Sequence, residues 1–117
     1  MDERRLLGRA GEDAAARLFR RQGFTVLDRN WRCQGGELDL VARRGGLVVF
    51  CEVKARSSSL YGEPFEAVGS RKQARLRRLA GRWLAEHRCR TNEIRFDVVS
   101  VLVGDGAPRV THLPDAF

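Results

Sequence analysis

Glu37-Leu38-Asp39-Leu40-Val41-Ala42-Arg43-Arg44-Gly45-Gly46-Leu47-Val48-Val49-Phe50-Cys51-Glu52-Val53-Lys54 holds two β-prone runs joined by a glycine pair, the pattern of an antiparallel hairpin. Side chains alternate faces along a strand, so Glu37, Asp39 and Val41 share one face and Leu38, Leu40 and Ala42 the other. On the second strand Val48, Phe50, Glu52 and Lys54 share a face. With Gly45 and Gly46 as the turn, Asp39 falls opposite Glu52, and Lys54 one step beyond, beside Glu37. Three carboxylates and an amine then crowd one patch.

Like charges facing each other across a strand pair destabilise the sheet unless something neutralises them. A divalent metal does so, because hard cations such as Mg²⁺ take carboxylate and carbonyl oxygens plus water, with one or two carboxylates from the protein. Asp39 and Glu52 supply those. Water on such a metal is a better nucleophile, and the metal stabilises charge developing on a phosphodiester. Lys54 stands where a cation orients that water or holds the phosphate. The plainer alternative is a solvated hairpin face on which Lys54 pairs with Glu37 or Glu52, and the D-(x)n-E-x-K spacing alone does not exclude it. Composition adds weight to the first reading: of the 22 basic residues only Lys54 and Lys72 are Lys, and Arg cannot replace Lys in acid/base or water-positioning work.

The 117 residues predict one domain, 1–117, at 43% hydrophobic and 32% charged a globular composition. Leu47 to Cys51 is far too short to span a membrane and no signal-peptide pattern opens the chain, so the expected location is cytoplasmic, with no membrane partner. Cys33, Cys51 and Cys89 form no C-x-x-C and are expected as buried free thiols, and His87 and His112 as structural or surface residues. A formal charge of +7 points to a polyanionic partner, nucleic acid before membrane.

A first helix is expected over about Leu6 to Gln22, with Glu12 at the edge of its apolar arc and Asp13 facing solvent. Glu12 either reaches the acidic face of the hairpin or is an ordinary boundary residue. Phe24 to Arg32 predicts a strand, and Arg56 to Pro64 a polar loop placed to close over a substrate or simply to connect, with Ser57 to Ser59 and Tyr61 able to contact phosphates. A second helix is expected over about Ser70 to His87, with Ser70 as N-cap and an apolar stripe through Leu76, Leu79, Ala80, Trp83, Leu84 and His87. Arg71, Arg75, Arg78 and Arg82 recur on the opposite face as a basic ridge able to track phosphates, and from Arg71 to Arg90 eight basic residues meet only Glu86. Lys72 and Gln73 flank the buried stripe and point towards the sheet, where polar groups need partners. Glu93 to Val103 predicts a largely buried strand in which Asp97 is the odd charge, and Arg109 to Leu113 a short edge strand.

Gly11-Glu12, Gly36-Glu37-Leu38-Asp39-Leu40-Val41, Glu52-Val53-Lys54, Lys72 with Leu79, and Arg95-Phe96-Asp97-Val98-Val99 together resemble the bacterial YraN family across nearly the whole chain. That family is similar to the restriction-endonuclease-like superfamily and, within it, to archaeal Holliday-junction resolvases. The resemblance implies an α/β fold with a mixed central sheet flanked by helices and an α-β-β-β-α-β core. It also implies a nuclease site of the PD-(D/E)XK type, with Glu12, Asp39 and Glu52 around Mg²⁺ or Mn²⁺, and Lys54 as the motif lysine. Glu37, Lys72 and Gln73 are accessory candidates, and Leu38-Asp39 replaces the superfamily's Pro-Asp.

These observations lead to a metal-dependent endonuclease acting on DNA, more so than RNA, in repair or recombination. Asp39, Glu52 and the Val53 carbonyl are expected to hold the metal with Glu12 in support, Lys54 to position water or phosphate, and Arg56, Arg71, Arg75, Arg78 and Arg82 to bind the backbone. The lack of a base-reading module suggests recognition of branched or junction DNA by shape, which suits a homodimer. The competing expectation is a non-catalytic nucleic-acid-binding adaptor on the same fold. A third is a structural partner docking its basic helix on an acidic protein.

Overall fold

The computed structural model describes residues 2–57 and 68–117. Helix α1 (Glu3–Arg21) precedes strands β1 (Thr25–Cys33), β2 (Gly36–Arg44) and β3 (Leu47–Ser57), then come helix α2 (Ser70–Glu86) and strands β4 (Glu93–Val103) and β5 (Arg109–Leu113). The expected α/β core is therefore present in the expected order.

The five strands lie side by side in chain order. Neighbours are antiparallel except β3 and β4, which run parallel over the whole of β3 from Leu47↔Glu93 to Ser57↔Val103. A parallel pair needs a crossover, and α2 is its helix. The glycine pair sets the hairpin register: Gly45 supplies the positive φ of +59° that a two-residue turn requires, and Arg44↔Leu47 leads to Leu40↔Cys51 as expected.

Because helices cover both faces, the central strands are continuously apolar. Leu40, Ala42, Val49, Cys51, Val99 and Val101 pack beneath Ala14, Ala15, Ala16 and Phe19 of α1. Val41, Val48, Phe50, Phe96 and Val98 pack beneath Leu76, Leu79, Ala80 and Trp83 of α2. Each large side chain so buried contributes about 1.5–3 kcal/mol. Small residues let α1 approach closely: a Cβ added at Gly11 would lie 2.6 Å from the Ala55 Cβ on β3.

Several local expectations are corrected. Helix α1 begins at Glu3, three residues before Leu6, because the Asp2 side chain accepts the Arg5 N–H at 2.9 Å and caps it. Gly69, not Ser70, is the N-cap of α2, and no side chain caps that end. Arg56 and Ser57 belong to β3, held by parallel pairing to Leu102 and Val103. The rest of the expected loop, with Ser58, Ser59, Tyr61 and Pro64, lies outside the described residues. Asp13 does not simply face solvent but pairs with Arg29 on β1 at 2.6 Å. The three thiols are free and only Cys51 is fully buried, the other two being half-buried.

Asp97 is wholly buried. It takes both nitrogens of Arg95 at 2.8 and 2.9 Å, His112 Nε2 at 2.7 Å and the Asp115 N–H at 3.0 Å. Burial alone would raise its pKa, but the hydrogen bonds from His112, Arg95 and Asp115 hold the carboxyl below its ordinary value. The odd charge of β4 is a structural anchor for β5, and the partner of Asp97 is Arg95 itself. His87 is structural too: it stacks on Trp83, whose indole N–H donates to Asp28 at 2.9 Å. Among the described residues no helix is long and apolar enough to cross a membrane.

Candidate active site

The β2–β3 pairing stops at Leu40↔Cys51, one residue short of the acids. Beyond it the Asp39 side chain takes over the ladder's role, its Oδ2 accepting the Val53 N–H at 2.8 Å. In extended backbone the N–H and C=O of one residue point to the same neighbouring strand, so the Val53 carbonyl also faces the gap. On β1 the register likewise skips Asn30, the residue facing Asp39, which adopts φ +53°.

A cleft of about 260 Å³ opens where the strands part, lined by Gly36, Glu37, Asp39 and Glu52 from the hairpin and Lys72, Arg75 and Leu76 from α2. Glu52 is held by Lys72, Nζ to Oε1 3.1 Å, with the carboxylate side chain 13% exposed. Asp39 is pushed up from 3.8 to about 8, first by burial, then by the Glu52 charge, against the lowering effect of the Val53 N–H. Two crowded carboxyl groups, beside a carbonyl edge, form a donor set that fits a hard divalent cation.

The first two turns of helix α2 border this cleft through Lys72, Arg75 and Leu76, and the helix starts with no capping side chain and no acid in its first turn. Arg71 and Lys72 there add to the positive end of the helix dipole and make the mouth attractive to anions. Arg71, Arg75, Arg78 and Arg82 are all exposed, as expected of a ridge. Arg75 lines the cleft, and Arg82 donates to the Gln34 carbonyl in the β1–β2 turn at 3.1 Å.

The remaining candidates separate. Lys54 follows Glu52 by two residues on β3, and Arg56 by four, so alternation keeps both on that strand face. Gln73 turns back to the Val68 carbonyl at 2.8 Å, which steadies the start of α2. Glu12 lines an adjoining groove, where its Oε1 accepts from the Asn30 amide at 2.6 Å. Among the described residues no three His, Cys, Asp or Glu side chains gather into a metal cage, so Glu12 is not brought together with Asp39 and Glu52. Among the described residues Glu37 alone borders both hollows. Asn30 was not singled out from the sequence; its one signal is that asparagine tolerates left-handed backbone better than other non-glycine residues.

Residues 11–101 match UPF0102, described as an uncharacterised protein family. A UPF0102 protein of Frankia casuarinae is 55% identical over 112 residues, 95% of each chain. One of Beutenbergia cavernae is 56% identical over 108 residues, 92% of each chain. One of Myxococcus xanthus is 47% identical over 115 residues, 98% of this chain and 91% of its own.

Proposed function

Since the chain belongs to the UPF0102 family, whose name specifies no reaction, we propose its function from the cleft: metal-dependent hydrolysis of phosphodiester bonds in DNA, with branched or junction DNA as the favoured substrate. The observation that carries this reading is the Asp39–Glu52 pair, in which burial first and the neighbouring Glu52 charge second raise Asp39 to about 8, beside Lys72 and Arg75 of α2. A stable fold has no need of that repulsion, whereas a cation site does. The likeness to restriction-endonuclease-like proteins supports the same chemistry.

Asp39, Glu52 and the Val53 carbonyl would hold Mg²⁺ or Mn²⁺. When bound, the ion supplies Lewis-acid stabilisation of the charge that develops on the phosphate and acidifies water. Lys54 orients the attacking water or the scissile phosphate, with its ammonium two residues from Glu52. Arg75 and Lys72 draw the phosphate into the cleft, and Arg71, Arg78 and Arg82 hold the flanking backbone. Glu37 closes the side of the cleft that adjoins the groove holding Glu12. A two-fold junction would be met by a homodimer.

The test is cleavage of a labelled panel, four-way junction, flap, single strand and linear duplex, with Mg²⁺ or Mn²⁺. Structure-selective cuts that vanish in Asp39→Asn and Lys54→Ala while binding persists are expected. Cleavage retained in both variants would overturn the site. A second reading, a non-catalytic nucleic-acid adaptor, draws on the Lys72–Glu52 ion pair, which gives the acid a structural partner. Salt-sensitive DNA binding without turnover under either metal would favour it.

A further inference from the structure

A second groove of about 580 Å³ adjoins the cleft, and Glu37 lies on the border of both. One wall is a stripe of α1, Arg5, Gly8, Arg9 and Glu12, spaced i, i+3, i+4, i+7 so that all four face the same way. The other wall is Asn30 and Arg32 of β1. Both acids of the groove are already engaged, Glu12 by the Asn30 amide at 2.6 Å and Glu37 by Arg32 at 3.1 Å. Asn30 reaches Glu12 from a left-handed backbone, φ +53°, which asparagine adopts more readily than other non-glycine residues. Arg29 stands 3.8 Å from the same carboxylate oxygen and offsets its charge.

Arg5 and Arg9, by contrast, pair with no carboxylate among the described residues. They stand one helical turn apart, roughly 6 Å along the axis, close to the separation of neighbouring phosphates on an extended strand. Between them Gly8 leaves the wall open, since a Cβ built there would meet nothing within 4 Å. Acids masked, cations free and a bare wall describe a path for a polyanion. Its continuity with the cleft selects a phosphodiester chain over an acidic peptide.

We propose that this groove binds the sugar–phosphate backbone of the nucleic-acid strand on the side of the cleft away from α2, with Arg5 and Arg9 each meeting a phosphate. The α2 ridge and the α1 groove then grip the same strand on either side of the bond in the cleft. This rests on the phosphodiesterase reading for its orientation, but its test reads binding alone.

Binding of a labelled single-stranded DNA and of its duplex is measured in EDTA across a salt series. Relative to wild type, Arg5→Ala with Arg9→Ala is expected to reduce the steepness of log K against log salt by about 1.4 on the single strand and about 1.8 on the duplex, the loss of two phosphate contacts. Gly8→Glu is expected to weaken binding about tenfold or more with no loss of thermal stability, because its charge enters the groove while its Cβ meets no neighbour and glutamate is the better helix former. Arg20→Ala with Arg21→Ala removes the same charge from the exposed last turn of α1 and is expected to leave the slope intact. An unchanged slope in the Arg5/Arg9 variant, or an equal loss in the Arg20/Arg21 variant, would overturn the groove. Absence of Mn²⁺-dependent cleavage with the Arg5/Arg9 effect intact would overturn the cleft chemistry alone.

Discussion

Lys72 Nζ lies 3.1 Å from Glu52 Oε1, tying the basic first turn of α2 to the acid of β3. The contact offsets a cation placed against the helix dipole, and it sets Lys72 in competition with any metal for the same oxygen. Lys72→Met should therefore bind Mn²⁺ several-fold more tightly, as read by calorimetry, while cleavage falls because a phosphate-drawing charge is lost. The pair is partly exposed, so the stability cost in urea without metal should stay near 1 kcal/mol. Weaker metal binding in this variant would show that Lys72 supports the acids and does not compete for them.

Asp39 gives the site a pH dependence of predictable sign. Its folded pKa, about 8, lies above the 3.8 of an ordinary aspartate. The contribution to stability is complete below about pH 4, declines as the unfolded chain ionises, and is gone above about pH 8. Metal-free protein should lose stability across that window, and Asp39→Asn should flatten the loss. Since a cation requires the ionised acid, Mn²⁺ affinity should rise towards tenfold per pH unit below about 8 and level off above it. A pH-independent affinity would contradict the placement of Asp39 beside Glu52.

Gly11→Ala should destabilise the fold by about 1–3 kcal/mol, although alanine is the better helix former by about 1 kcal/mol. The added methyl would meet Ala55 at 2.6 Å and push α1 away from β3. Urea unfolding measures the cost. A neutral or stabilising result would mean that α1 can shift at no cost, and with it the groove wall that carries Arg5, Arg9 and Glu12.

Asp97→Asn should cost about 3 kcal/mol by stranding Arg95 and His112 around a neutral amide. The lowered pKa of Asp97 adds stability that is present above the ordinary aspartate range and lost as pH falls through the folded value. The variant should therefore lose most of the acid-side dependence of stability. Mn²⁺ affinity should hardly change, which separates this structural acid from Asp39 and Glu52.

The hairpin was legible because two glycines fix a register, and a register fixes which side chains meet: Arg44↔Leu47 through Leu40↔Cys51 follows from Gly45-Gly46 alone. The exposed arginine stripe of α2 was legible from helical period. What period cannot convey is where a ladder ends. Asp39 bonds the Val53 N–H because the strands part there, and Glu12 turns to Asn30 because one residue of β1 enters the left-handed region. The same limit applies to Gln73 and Arg75. A wheel gives the face on which each lies, but only tertiary packing decides that one folds back on Val68 while the other borders the cleft.

The irregularity of β1 has a consequence for solubility as well. This strand forms one border of the sheet, where nine residues of unbroken extended backbone would offer their open N–H and C=O groups to any other polypeptide. A register shift between Val26 and Asp28 and the reversed φ of Asn30 interrupt that row in two places. The distortion that turns an amide onto Glu12 thus also denies a foreign strand a template, and straightening it would expose the chain to edge-to-edge aggregation.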